Sequence, residues 1–347
     1  MGKAVKLGVV GLGMGGGHVE GYQAHPEAEV VAICDTNPER LNEKARKYGI
    51  AHTFTDAETM LKQCKLDAIS VATPNAWHAP ITIAALKRGL HVLCEKPMAM
   101  TVKESEKMLA AAEKSGKNLM INFSYRFSPM SYALKQQVDA GVVGDIYFGR
   151  TVWHRRYGFP GFGGWFGQKA LSGGGPLIDL GVHRLDLALW LMGYPEPSLV
   201  LGSSYDHLAR IEVERQQKAF DVEDLACGMV KFTNGATLLL EASWAGNTDE
   251  AEHMVTKLYG TKGGLCQSNN SGGYQYQAEI YTREGENFFT KRLDATATKV
   301  PSAYAEFVDS ILEGRRPLAS GEEGLKVMKI LEGIYRSAVT GHEVQYK

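Results

Sequence analysis

Excess charge of either sign is missing from this chain: across 347 residues, 38 lysines and arginines stand against 39 aspartates and glutamates, a net charge of −1 at pH 7. So even a balance argues against a nucleic acid or an anionic membrane surface as the main partner. Long apolar runs are missing too, and no stretch approaches the roughly 20 apolar residues that a membrane span needs. Cysteine is scarce and scattered. Cys34, Cys64, Cys94, Cys227 and Cys266 are odd in number and form no C-x-x-C pair, so neither a disulfide framework nor a metal site is expected. The opening residues, MGKAVKLGVVGLG, run straight into a strand-like segment without a signal-peptide core and cleavage site. They also lack a myristoylation signal, since Lys6 stands where a Ser or Thr is wanted. No internal repeat or low-complexity segment stands out. These absences predict a soluble, reduced, cytoplasmic protein with room for two domains, each with its own core.

What is present begins with glycine. KAVKLGVVGLGMGGGH reads as a strand over Val5 to Val10, a glycine turn and a helix, with Gly11, Gly13 and Gly16 in a G-x-G-x-x-G pattern. The first glycine permits the tight turn, the second lets a pyrophosphate approach, and the third lets helix and strand pack closely. The helix start then offers free N–H groups to phosphate. Gly11, Gly13, Met14 and Gly16 are therefore candidate cofactor residues. A glycine motif alone is weak, but AEVVAICD ends a second strand at Asp35, nineteen positions beyond Gly16. A carboxylate there accepts hydrogen bonds from the adenosine ribose hydroxyls and disfavours a 2′-phosphate. NAD is thus expected over NADP, with Arg40 close enough to temper the preference.

The alternation continues. TNPERLNEKARKYG is a helix with Asn37 as cap, Pro38 at its first position and Gly49 as its stop. KLDAISVATP, LHVLCEKP and KNLMINF read as strands, and HAPITIAALKRG and TVKESEKMLAAAEKSG as helices. Strands alternating with helices of this length predict a doubly wound parallel sheet, with ligands outside the carboxyl ends of its strands. Thr73, Pro74, Asn75 and His78 (from TPNAWH) and Glu95 and Lys96 (from EKP) lie at such ends and are candidate cofactor contacts. Lys96, beside a proline-fixed turn, would point toward the nicotinamide.

A second motif lies further on. In GGGPLIDLGVHRLDLALW, Pro176 reads as a first helical position and Leu177 to Leu191 as the helix body. At 100° per residue, Asp179, His183, Asp186 and Trp190 fall on one stripe of that helix. Asp179 can receive a hydrogen bond from one nitrogen of His183, fixing its tautomer and leaving the other nitrogen for a ligand. A buried pair that merely packs the helix is the plain alternative, but three preceding glycines suggest close ligand approach. Asp186 is expected only as a structural helper of the pair. Upstream, HRRYGFPGFGGWFGQKALSGGGP holds His154, Arg155, Arg156, Tyr157, Phe159, Phe162, Trp165 and Phe166 among glycines. Either these aromatics and bases face a sugar ring, or they fill a gap between domains or subunits. Further strand-like runs, LACGMVKFTNGATLLLEASW and HMVTKLYGTKGGL, suit a second sheet, with Asn234-Gly235 as a hairpin turn.

Taken together, GLGMGG, ATPNAWH, EKP, SYRFSP with AGVVGDI, GGGPLIDLGVHRLD and the closing FVDSILEGRRPLASGEEGLKVMKILEGIYRSAVTG resemble the glucose–fructose oxidoreductase and inositol dehydrogenase (Gfo/Idh/MocA) family over the full length. The resemblance implies a Rossmann domain over 1–122 and an α/β domain with a large, mostly antiparallel open sheet over 123–347. Final helices at 302–340 would pack back toward the amino-terminal domain. It also implies NAD(P)-dependent oxidation of a sugar or cyclitol hydroxyl, and a homodimer or homotetramer. The family's lysine falls on Lys96, and its aspartate and histidine on Asp179 and His183. His183 would then act as general base, and Lys96 would steady the developing alkoxide. Arg126 of SYRFSP, His154 and Trp165 join those three as candidate substrate contacts. A redox-neutral lyase or glycosidase that oxidises and later re-reduces the sugar is the alternative activity. A regulatory protein with a dead site is a third reading, which the intact Lys96, Asp179 and His183 oppose.

Overall fold

The computed structural model describes residues 4–346. Six short strands make the first sheet: β1 (Val5–Val10), β2 (Ala28–Cys34), β3 (His52–Phe54), β4 (Ala68–Val71), β5 (His91–Cys94) and β6 (Leu119–Ile121). They pair in parallel in the order β3-β2-β1-β4-β5-β6. β4 is buried at all four positions, Ser70 included, as befits a central parallel strand covered on both faces. Five helices connect the strands: α1 (Gly15–Gln23), α2 (Pro38–Tyr48), α3 (Ala57–Gln63), α4 (His78–Lys87) and α5 (Val102–Ser115). Their ends follow the expected chemistry. The Asn37 side chain accepts from Arg40 N–H, and Gly49 stops α2 at φ 69°; Thr101 and Gly116 do the same for α5.

The second sheet has nine strands: β7 (Ile146–Arg155), β8 (Pro197–Tyr205), β9 (Leu225–Phe232), β10 (Thr237–Ser243), β11 (Glu252–Gly260), β12 (Gly263–Asn269), β13 (Tyr276–Glu284), β14 (Asn287–Arg292) and β15 (Val344–Gln345). Their order is β14-β13-β12-β11-β7-β10-β9-β8-β15, with β7 and β10 parallel and every other pair antiparallel. Helix α6 (Pro129–Asp139) precedes β7 in the chain, α7 (Lys169–Ser172) and α8 (Val182–Leu191) lie between β7 and β8, and α9 (His207–Gln216) lies between β8 and β9. One face of the sheet receives α8, where the Thr151 hydroxyl donates to the Arg184 carbonyl at 3.3 Å. The other face carries Leu201, Tyr205 and Tyr259, each more than 36% exposed.

The chain divides into two compact units, Met1–Phe123 with Pro301–Met328, and Ser124–Val300 with Lys329–Lys347. The two closing helices, α10 (Ala303–Leu312) and α11 (Gly321–Thr340), do not stay together as 302–340. In the first unit Tyr304 of α10 packs on His18 and Tyr22 of α1, at 4.9 and 5.5 Å between ring centres. The far half of α11 belongs to the second unit: the Ser337 hydroxyl accepts from Gly202 N–H at 2.9 Å, and Ile334 fills the space left by Gly202 and Gly228. Among the described residues no helix is long and apolar enough to cross a membrane.

Candidate active site

In the first unit β1 ends at Val10 and the chain turns at once. Gly11 sits at φ 87°, and a Cβ there would lie 2.4 Å from the Ala72 carbonyl oxygen, so only glycine fits. At Gly13 a Cβ would meet nothing within 4 Å, so the backbone borders open space. Met14, 72% exposed, precedes α1, whose first amides receive no side-chain cap. An open glycine backbone beside the uncapped start of a nine-residue helix fits a dinucleotide pyrophosphate. The third glycine has a different duty from the one expected. A Cβ on Gly15 would lie 3.0 Å from the Val9 side chain of β1, whereas one on Gly16 would lie 3.0 Å from the Tyr48 hydroxyl of α2. One residue on a helix is a 100° turn, so the close strand approach falls to Gly15.

Asp35 lies at the end of β2, almost enclosed. Its Oδ2 accepts from Leu12 N–H at 2.8 Å, inside the glycine turn, and its Oδ1 from Asn37 N–H at 2.8 Å. Arg40 Nη1 reaches the same carboxylate at 3.2 Å. The acid therefore braces the glycine turn from the end of β2, and the residues present fit a dinucleotide.

The other two strand-end motifs are braced from within. Thr73 and Pro74 lead into a single 3-10 turn, Asn75–Trp77. His78 is wholly buried, with Nδ1 2.7 Å from the Pro97 carbonyl and Nε2 2.9 Å from that of Thr73, and burial pushes its pKa down. It ties the two turns together and has no ring atom left for a cofactor, which corrects the expected contact. Glu95 is held by His18 at 2.8 Å, by the Asn122 amide at 2.6 Å and by Lys96 N–H at 3.2 Å. Burial raises its pKa, but His18 and Asn122 outweigh that and hold it below the ordinary value. Glu95 thus anchors the turn that presents Lys96.

In the second unit the expected single helix from Leu177 divides. Leu177–Gly181 is a π turn and α8 follows it. A π turn carries more residues per turn than an α-helix, so the 100° stripe breaks between Asp179 and Asp186. Asp179 Oδ2 accepts the indole N–H of Trp244 at 3.0 Å. His183 lies with its ring 5.1 Å from Tyr125 and 5.8 Å from Trp153. Asp186 instead enters the core, taking Arg126 Nε at 3.0 Å and Nη2 at 2.6 Å, with the Tyr194 hydroxyl alongside. Arg126, 1% exposed, spends its fork on Asp186. It is a structural ion pair and not the substrate contact expected.

His154 needs the same correction, for a reason of parity. Side chains alternate across a strand. Thr151 and Trp153 of β7 face α8, so His154 faces the opposite side of the sheet, 3.7 Å from Glu241, where burial pushes its pKa down. Trp165 stacks on Phe166 at 3.9 Å. It is Phe166, with Phe159 and Phe220, that packs against Trp153, Leu180, Val222, Trp244 and Met254.

The glycines before Pro176 also have another cause. A Cβ on Gly174 would lie 2.2 Å from the Tyr335 hydroxyl, and one on Gly175 would lie 2.1 Å from the Glu223 carbonyl. Glu223 accepts from Gly175 N–H at 2.8 Å, Leu177 N–H at 3.2 Å and the Tyr335 hydroxyl at 2.8 Å. The loop is small so that protein, rather than ligand, can close on it. Trp244, Trp153, Tyr125, Glu223 and Tyr335 are the neighbours that sequence reasoning missed. Only Trp153 carried a usable signal, the alternation along β7.

The Gfo/Idh/MocA oxidoreductase family, with its NAD-binding Rossmann fold, matches residues 5–123, and that family's C-terminal domain matches residues 132–266. D-glucoside 3-dehydrogenase of Escherichia coli is 34% identical over 335 residues, covering 94% of this chain and 93% of that protein. The chain belongs to the Gfo/Idh/MocA family. Two solved members of similar fold are an aldose-aldose oxidoreductase from Caulobacter crescentus complexed with glycerol and levoglucosan dehydrogenase in complex with NADH. The first has a TM-score of 0.81 at 28% identity, covering 99% of this chain and 100% of that one. The second has a TM-score of 0.86 at 25% identity, with the same coverage. As a Gfo/Idh/MocA protein, the chain is an oxidoreductase with an NAD-binding Rossmann domain.

Proposed function

We propose that this protein oxidises a hydroxyl of a sugar or cyclitol, with His183 as general base. The observation that carries the reading is the setting of His183, an imidazole packed against the rings of Tyr125 and Trp153, which also meet each other at 5.8 Å, and one turn from an aspartate held by Trp244. Aromatic faces suit the C–H faces of a sugar ring, and an imidazole suits the removal of a hydroxyl proton near neutrality. The relatives named for glucoside and levoglucosan support the same substrate class.

His183 takes the hydroxyl proton. Asp179, steadied by the Trp244 indole, keeps the imidazole oriented and stabilises the imidazolium that forms. Lys96, on its braced turn, holds the substrate oxygen and offsets alkoxide charge. Bound NAD supplies the hydride acceptor. The amides from Gly11 to Gly16 hold its pyrophosphate and Asp35 its ribose hydroxyls, which favours NAD over NADP. The exposed face of the nine-stranded sheet suits pairing with a second copy, as a homodimer or homotetramer.

Incubation with NAD and a panel of sugars and inositols, followed by NADH fluorescence, tests this reading. We expect NADH from at least one neutral polyol. An enzyme that binds NADH yet forms none from the whole panel would contradict it.

A further inference from the structure

Arg155, Glu252 and Tyr274, clustered on Trp153 beside the dyad, are not used by the chemistry above. Strand parity puts Trp153 and Arg155 on the same side of β7, and the β7–β11 register sets Glu252 opposite Arg155. Glu252 gathers three donors: the Trp153 indole at 2.6 Å, Arg155 Nε at 2.9 Å and the Tyr274 hydroxyl at 2.8 Å. Arg155 Nη2 also donates to that hydroxyl at 3.2 Å, and its guanidinium lies over the Trp153 ring at 5.8 Å. Trp153 touches both ends of the row, with His183 at 5.8 Å and Tyr274 at 6.2 Å.

Tyr274 is the unusual member, because it is 56% exposed yet held at its hydroxyl from two sides. An exposed tyrosine ordinarily gives up side-chain freedom when it meets a ligand. This one has already lost part of that freedom, which makes it a prepared surface. Charge narrows the ligand. The Arg155 cation is matched by Glu252 at 2.9 Å, and it also feels the carboxylate of Asp179. An anionic ligand would find no unmatched cation in this cluster and would be repelled by two carboxylates.

We infer that Tyr274, Arg155 and Glu252 form a second subsite, one ring beyond the dyad, for the outer ring or aglycone of an uncharged glycoside. The inference rests on the proposed chemistry at His183, since it is the oxidised ring that seats beside Trp153. The outer ring then stacks on Tyr274, and its hydroxyls meet the Arg155–Glu252 pair.

Steady-state oxidation of D-glucose, cellobiose, phenyl β-D-glucoside and phenyl β-D-glucuronide, with wild type, Tyr274→Phe and Tyr274→Ala, tests the subsite. For Tyr274→Ala the ratio of kcat/KM for cellobiose to that for D-glucose should fall about fivefold to tenfold. Tyr274→Phe, which keeps the ring and loses the anchor, should fall between. Wild type should prefer the phenyl glucoside to the glucuronide. A ratio for Tyr274→Ala within twofold of wild type overturns the subsite, as does a wild type that oxidises D-glucose but neither glucoside. If wild type oxidises none of the four, the chemistry at His183 is what fails for these sugars. Calorimetric titration of cellobiose into the NADH-bound protein then decides the subsite by itself: weaker binding to Tyr274→Ala than to wild type upholds it, and equal or absent binding overturns it.

Discussion

Asp35 does two things with one carboxylate. It braces the glycine turn through Leu12, with Arg40 3.2 Å away, and in the proposed reading it also holds the ribose hydroxyls. Asp35→Ala should weaken NAD binding by about 1.5–3 kcal/mol, the scale of hydrogen bonds to a charged acceptor. Arg40→Ala should leave NAD affinity nearly intact and lower NADP affinity, because this arginine is the α2 cation that contacts Asp35. Titration calorimetry with both dinucleotides checks each arm, and tighter NADP than NAD binding by the wild type would reverse the assignment. At this scale the sequence was legible wherever a residue's partners lie on its own element. Asn37 and Thr101 cap the helices that they open, as their local chemistry requires. Arg126 was not legible, because its partner Asp186 lies 60 residues on and nothing in SYRFSP announces it. His78 likewise looks like a ligand contact until the carbonyls of Thr73 and Pro97 are seen around it.

At the scale of elements, the turn carrying Asp179 and His183 is set by parts remote in the chain. Glu223 accepts from two amides at its entry, and Tyr335 of α11 closes over the glycines. Burial raises the pKa of Glu223 above 4.5, against the hydrogen bonds of Tyr335, Gly175 and Leu177. A raised native-state pKa means that the native state holds the proton more tightly than the unfolded chain does. The stability this group contributes is full below 4.5 and is lost as pH rises through its native pKa. Glu223→Gln cannot ionise, so its unfolding midpoint should gain on that of the wild type as pH rises above the ordinary carboxylate value. Scanning calorimetry across that range should show the two curves converging or crossing; parallel curves would remove Glu223 as the titrating group. Glycine before a helix signals a need for small residues but not what closes on them, which is why GGG suggested a ligand. His154 was expected in the glycine-rich stretch that follows Trp153, but β7 runs on to Arg155, and alternation along the strand turns His154 away from the face that carries Trp153.

For the whole molecule, the alternation of strands and helices announced the first sheet, and hairpin signals announced the second. The division inside α11 was not readable, because its apolar pattern runs unbroken from Gly321 to Thr340 while its two halves belong to different units. The nine-stranded sheet leaves one face bearing Leu201, Tyr205 and Tyr259 in water, an apolar display that a second copy would cover. Light scattering at micromolar concentration should therefore give a dimer or tetramer. A monomer would show that this face stays open.

The claim on which the account turns is that His183, oriented by Asp179, moves the proton. The most direct measurement is turnover of His183→Ala, with NADH affinity and unfolding midpoint determined on the same preparation. We expect turnover to fall by about 10²–10⁴-fold, the scale of general acid–base catalysis, with NADH affinity and midpoint held close to wild type. Asp179→Asn should fall in the same direction, and the wild-type rate should rise with pH as the imidazole gives up its proton. A His183→Ala protein that folds, binds NADH and oxidises its sugar within a few fold of wild type would contradict the account, and would leave Lys96 to act as the base.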